Sequence, residues 1–163
     1  MNKVIIADAS PLIAFGSIDK LSVLFDLFGK VVIPEIVAAE CLVDKTRPGA
    51  AAIAKAIDEK RIQVHSAVIT AIDASLTILD DGEAAAIALA HSLNLRLIID
   101  EKLGRGVAQK LGVKIIGTIG VLLLAKQKKM VKAIKPILLL LKNGHYFLSD
   151  KLIKEALMRA QEK

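Results

Sequence analysis

Residues 95–117, "LRLIIDEKLGRGVAQKLGVKIIG", read as a strand, a helix and a second strand in succession. "LRLIID" is a short apolar run ending on an aspartate, "EKLGRGVAQKLG" carries the helix, and "VKIIG" is again apolar and β-branched. Strands this short and apolar suit a parallel sheet covered by helices on both faces. The alternation recurs upstream. "KVIIAD" (3–8) is a buried strand, and "ASPLIAFGSI" (9–18) starts a helix with Ser10 as its cap and Pro11 at the first helical position. "DKLSVLFDLFG" (19–29) has apolar residues at 21, 24, 25 and 28, which is helical spacing, and Gly29 stops it.

"KVVIP" (30–34) is the second strand, and Pro34 opens the helix "PEIVAAECLV". Ile36, Val37 and Cys41 define its apolar stripe, with Glu40 beside them. The turn "KTRPG" precedes a helix over 49–59 and a brief strand "RIQVH", and a further helix runs through the seventies. After residue 117 the chain carries three helical segments, 118–129, 133–142 and 149–161, the last capped by Ser149. The pattern predicts an α/β protein, a three-layer α/β/α sandwich with a central parallel sheet and extra C-terminal helices. Residues 1–163 are expected to form a single domain, with a helical extension over about 118–163.

Composition narrows the function classes. The chain has 163 residues, 54% of them hydrophobic, and a mean hydropathy of +0.53, which excludes a disordered protein and makes a membrane reading worth testing. Charge-free apolar stretches such as 115–125 fall short of the roughly 18–20 residues needed to span a bilayer. The N-terminus has a short apolar run cut off by Asp8, unlike a signal peptide, so a cytoplasmic location without membrane attachment is expected. The single Cys41 excludes an internal disulfide and a thiolate metal cluster, and His65, His91 and His145 are not at ligand spacing. Net charge is +6, and Lys126, Lys128, Lys129, Lys132 and Lys135 crowd into ten residues, a basic face suited to a polyanion such as nucleic acid. With one tyrosine, four phenylalanines and no tryptophan, the composition argues against an aromatic base-stacking platform.

Against this basic background stands a set of acids. In an open parallel sheet, function collects beyond the carboxyl ends of the strands, and Asp8 and Asp100 fall there. If "LIID" pairs beside "VIIAD", these two become neighbours. Glu40 is a charge in a helix of Val, Ala and Cys, and Glu83 lies in the first turn of the alanine-rich helix of "LDDGEAAAIALA" (79–90). Carboxylates gathered in one cleft repel one another unless some protonate or a cation is present. All-oxygen ligands favour Mg²⁺ or Mn²⁺ over Zn²⁺, and such an ion activates water for attack on a phosphodiester. The plainer account of 79–90 is a helix start: Asp80 and Glu83 have capping-box spacing, and acids suit the first turn. On that account Asp80 or Asp81 caps the helix, and Glu83 is the carboxylate left over for the cleft.

The chain resembles PIN-domain proteins, and closely a branch of small prokaryotic proteins related to the toxins of VapBC-type systems. The blocks that carry the resemblance are "VIIADASPLIAF", "VVIPEIVAAE", "LDDGEAAAIALA", "LIIDEKLGRGVAQKLGVKIIGTIGVLLLAK" and "ILLLLKNGHYFLSDKLIKEAL", which follow in order over almost the whole chain. The resemblance implies a parallel α/β/α fold and a Mg²⁺- or Mn²⁺-dependent ribonuclease, commonly a homodimer inhibited by a cognate antitoxin. It also implies that Asp8, Glu40, Glu83 and Asp100 are the catalytic metal ligands, with Ser10 as the hydroxyl accompanying Asp8. Family members carry Ser or Thr two residues before the last acid. This chain has Ile98 before Asp100 and Ile99 before Glu101, so Glu101 stands as the alternative to Asp100, and Asp81 as a supporting acid. Arg105, one turn beyond Glu101, either touches a substrate phosphate or pairs with Glu101.

Two further readings come from other classes. A PIN fold that binds RNA or a protein without cleaving fits the missing hydroxyl and the abundant apolar residues. A receiver-like phosphoacceptor needs an acidic pair after the first strand and a lysine after the last. The chain supplies only Asp8 at the first position, and Gly117 and Thr118 where the lysine belongs.

Overall fold

A computed structural model of the chain describes residues 3–66, 74–144 and 146–163. His145 therefore lies outside the described residues, as does the first part of the helix expected through the seventies. The described residues divide into two compact units, Met1–Gly117 and Thr118–Lys163.

In the first unit, strand β1 (Val4–Ala7) leads into helices α1 (Ala9–Ser17) and α2 (Leu21–Phe28). Strand β2 (Lys30–Pro34) leads into α3 (Glu35–Leu42) and α4 (Ala50–Asp58). Strand β3 (Ile62–His65) is followed by a 3₁₀ turn (Ala74–Ile78) and α5 (Asp81–Leu93). Strand β4 (Leu97–Ile98), α6 (Lys102–Lys110) and β5 (Ile115–Ile116) complete it. The strands form one all-parallel sheet in the order β3-β2-β1-β4-β5, the centre of a three-layer α/β/α architecture. Ile5, Ile6, Val31, Ile33, Leu97 and Ile98 are buried, as strands covered on both faces require.

The register that positions the site is the pairing of β1 with β4: Ile6 lies opposite Leu97 and Ala7 opposite Ile98. The Asp8 N–H continues the ladder by donating to the Ile98 carbonyl at 3.0 Å. Asp8 and Asp100 thus leave the sheet from adjacent strands at the same end, as the apolar runs predict.

Several local expectations change. The cap of α1 is Asp8, in extended conformation, and Ser10 lies exposed inside the first turn with Pro11 behind it. Pro11 has no N–H to lose in a first turn, so the helix starts two residues earlier without penalty. On α3 the buried stripe is Val37, Ala38 and Cys41, whereas Ile36 is exposed, because the helix begins at Glu35 and turns that position outward. The part of the expected seventies helix that is described is a single 3₁₀ turn. Gly29 does stop α2, at a φ of 74° that other residues adopt only with strain.

The second unit consists of α7 (Thr118–Gln127), α8 (Lys135–Asn143) and α9 (Asp150–Arg159), with the Ser149 hydroxyl capping α9 by accepting from the Leu152 N–H at 3.1 Å. Its C-terminal tail is tied back. Glu162 accepts from the Lys126 ammonium and the Ile134 N–H, both at 2.9 Å, and from the Lys135 N–H at 3.2 Å. Partial burial works against the Glu162 charge, but these donors prevail and hold its carboxyl below the usual range. No helix among the described residues is long and apolar enough to cross a membrane.

Candidate active site

The site grows from the carboxyl end of β1. Asp8 is 5% exposed, and burial pushes its carboxyl up to about 6. The Ala9 N–H pulls against that rise, while the charges of Glu40, Asp80 and Asp100 add to it. The sequence places a charge where the apolar strand ends, and the fold keeps that charge out of water.

Glu40 sits two turns into α3 and is exposed. Partial desolvation raises its carboxyl, Asp80 raises it further and Arg47 opposes both. Arg47 is held by the turn after α3, where the Asp44 carboxylate accepts from the Thr46 N–H at 2.9 Å and the Asp44 carbonyl accepts from the Arg47 N–H at 3.1 Å. The neighbouring Cys41 thiol is buried and pushed up to about 12 by desolvation, with Glu40 and Asp8 adding to the shift. A thiol so placed stays protonated and inert.

Helix α5 supplies the other side. Asp80 caps it, accepting from the Glu83 N–H at 2.8 Å. Glu83 is pushed up to about 7, first by desolvation and then by Asp80, Asp8 and Glu101. Between them Gly82 has no side chain. A Cβ there would lie 3.5 Å from Asp80 Oδ1 and 3.6 Å from each oxygen of Glu40, so two carboxylates from different elements converge over this one α-carbon. Asp81 heads the helix on its exposed side.

At the edge of the cluster, Asp100 is half-buried and Glu101 caps α6, its two oxygens accepting from the N–H groups of Leu103 at 3.0 Å and Gly104 at 2.7 Å. Arg105 does not sit in an ion pair with Glu101. Its Nη1 donates to the Ile99 carbonyl at 2.9 Å. A Cβ on Gly117 would lie 2.8 Å from that Nη1 and 2.9 Å from Asp100 Oδ1, so the glycine admits both groups to the same spot.

Six carboxylates, Asp8, Glu40, Asp80, Glu83, Asp100 and Glu101, therefore act on one another here, and Arg47 opposes the charge of Glu40. Asp80 belongs at the centre of this group, since it perturbs Asp8, Glu40 and Glu83. Its D-x-x-E spacing reads as a helix cap alone, which it is. The same geometry aims the capped carboxylate at the strand ends, and that is the signal a sequence reading lacks. Arg47 is hidden in an ordinary "KTRPG" turn. Among the described residues, no three His, Cys, Asp or Glu side chains stand close enough together to hold a metal ion as they are. The donor set itself fits a hard divalent ion: all oxygen, and in part buried.

No curated protein matches the chain significantly in sequence. The PIN-domain family model matches residues 4–162, a span that takes in every acid of the cluster. The chain belongs to the PIN-domain family.

Proposed function

We infer that the protein is a Mg²⁺- or Mn²⁺-dependent endoribonuclease. PIN domains are generally nucleases, and the family match supports nucleic acid as the partner. The observation that carries the metal-dependent reading is the load on Asp8 and Glu83, whose carboxyls rise to about 6 and 7 in a cluster of like charges. Asp8 and Asp100 are the main ligands, with Glu40 and Glu83 completing the set. Asp100 is preferred to Glu101 because it leaves the strand beside Asp8 and its charge acts on Asp8 directly. When bound, the ion supplies Lewis acidity toward water and the scissile phosphate.

The chain's own residues do the rest. Asp8, fixed by its N–H to the sheet, orients the cluster. Glu83 orients the attacking water through Oε, and the proton of that water passes to solvent. Water adds to phosphorus, the P–O3′ bond breaks, and the departing oxygen takes a proton from solvent, which leaves a 5′-phosphate and a 3′-hydroxyl. The exposed Lys128, Lys129 and Lys132 of the second unit supply the general attraction for the polyanion. By the family resemblance, the protein acts as the toxin of a type II toxin–antitoxin pair and as a homodimer.

One observation favours a second reading, a PIN-fold binder of RNA or protein that does not cleave: among the described residues, the acids are not drawn together to metal-binding distance. Incubating the purified chain with single-stranded RNA and Mn²⁺ separates the two. The nuclease reading expects cleavage that EDTA stops and that Asp8→Asn lowers by at least about a hundredfold. It also expects Mn²⁺ to raise the melting temperature of the wild type and not of Asp8→Asn. RNA binding without cleavage, together with no Mn²⁺ shift, establishes the binder instead.

A further inference from the structure

Alongside the acid cluster runs a second feature that the reaction does not use, a groove of about 510 Å³ between the 3₁₀ turn and α6. Its size lies within the roughly 300–1,000 Å³ typical of small-ligand sites. Ile78, Leu103 and Val107 give it an apolar lining, and Ile78 and Leu103 remain 60% and 48% exposed. Leu103, Gly106, Val107 and Lys110 fall on one face of α6 by helical spacing.

The two glycines of this helix have different causes. Gly104 is favoured by packing, since a Cβ there would lie 2.7 Å from Cδ1 of the buried Ile99 and would push that side chain aside. Gly106 has no such neighbour: a Cβ would meet nothing within 4 Å. A glycine inside a helix costs about 1 kcal/mol relative to alanine. The protein accepts that cost at the one position of α6 where a missing side chain widens the groove.

We propose that this groove is a base-binding subsite that seats one unstacked nucleobase of single-stranded RNA next to the scissile phosphate, with Gly106 kept bare to admit it. The proposal rests on the nuclease reading given above. Three features select this occupant. The lining offers apolar surface to the face of a base, and dispersion contact with aliphatic side chains needs no aromatic partner. Lys102 and Lys110 stand at the two ends of α6, roughly 12 Å apart along its axis, and both are exposed where phosphates flanking the base would lie. Glu101, which belongs to the groove wall, directly follows Asp100 in the chain, so the subsite borders the acid cluster. The aliphatic slot thus supplies the base contact that a chain so poor in aromatic residues otherwise lacks.

The test is equilibrium binding in EDTA, where no cleavage occurs, of a single-stranded uridine decamer, an adenosine decamer and an abasic ribose-phosphate decamer. Wild type is expected to prefer at least one base-bearing decamer over the abasic one by about tenfold, the low end of what a base stacked on an aromatic ring contributes. Gly106→Leu fills the groove and removes most of that preference while leaving abasic binding unchanged, with Gly106→Ala in between. Both variants replace glycine by a better helix former in open space, so a melting temperature at or above wild type is expected. An unchanged preference in Gly106→Leu, or equal loss on all three decamers, overturns the subsite while nucleic-acid binding stands. If wild type binds none of the decamers, the nucleic-acid reading itself fails. If Gly106→Leu instead changes the sedimenting mass of the protein, the groove seats a second copy of the chain and the proposal is wrong.

Discussion

Asp8 shows what a single residue contributes and what it costs. In the unfolded chain its carboxyl has the ordinary value near 3.8, and in the folded, metal-free protein it sits at about 6. Between those values the unfolded chain has released a proton that the folded one keeps, so stability falls as pH rises from about 4 to 6. Above 6 the full penalty applies, roughly 3 kcal/mol at 1.4 kcal/mol per unit. Glu83, raised to about 7, extends the decline toward neutrality. Asp8→Asn is therefore expected to stabilise the metal-free protein at pH 7.5 by about 1–3 kcal/mol and to have no effect near pH 4. Urea unfolding in EDTA at the two pH values reads this out, and a variant that is no more stable at pH 7.5 contradicts the buried-charge account. Asp8 is legible in sequence because a strand end is a local event. The strength of its perturbation is not, because it comes first from burial under elements remote in the chain and then from the charges of Glu40, Asp80 and Asp100, which are remote as well.

At the scale of the element, α5 joins two tasks in its first turn. The Asp80 carboxylate caps the helix and also loads Glu40 and Glu83 with negative charge. Asparagine caps as well as aspartate but carries no charge. Asp80→Asn should therefore retain stability while Glu83 titrates closer to an ordinary glutamate, and Asp80→Ala should lose about 1 kcal/mol. Side-chain carboxyl NMR titration with a thermal melt distinguishes the two functions; a Glu83 that titrates unchanged in Asp80→Asn shows that Asp80 is a cap only. The helix start was readable from D-x-x-E, but the direction in which the cap faces was not. The same limit applies at α6, where Asp100 and Glu101 are adjacent and equivalent as letters. Only the helix geometry commits the Glu101 oxygens to two N–H groups. Elsewhere in α6, Gly104 and Gly106 look alike in sequence, and the neighbour that separates them, Ile99, lies on another element.

Across the whole molecule, the positive charge is divided between roles. In the second unit Lys126 is held by Glu162 and the Ala160 carbonyl, and Lys135 by the Lys163 carbonyl. That leaves Lys128, Lys129 and Lys132 of the late lysine run exposed to solvent. Replacing these three by alanine is expected to weaken single-stranded RNA binding at every sequence alike and to reduce the salt slope by about 2, at roughly 0.7 per phosphate contact. Fluorescence anisotropy over a range of KCl concentrations measures it, and an unaltered slope removes these lysines from the interface. The chain's letters alone determined the all-parallel α/β architecture, because short apolar strands between helices have one stable way to be buried, and they determined which acids end the strands. Tertiary structure decided which of those acids act on one another, that Asp80 joins them, that Arg47 opposes Glu40, and that a groove opens over Gly106. Those properties are distances and exclusions of water between elements far apart in sequence, and no local pattern encodes them.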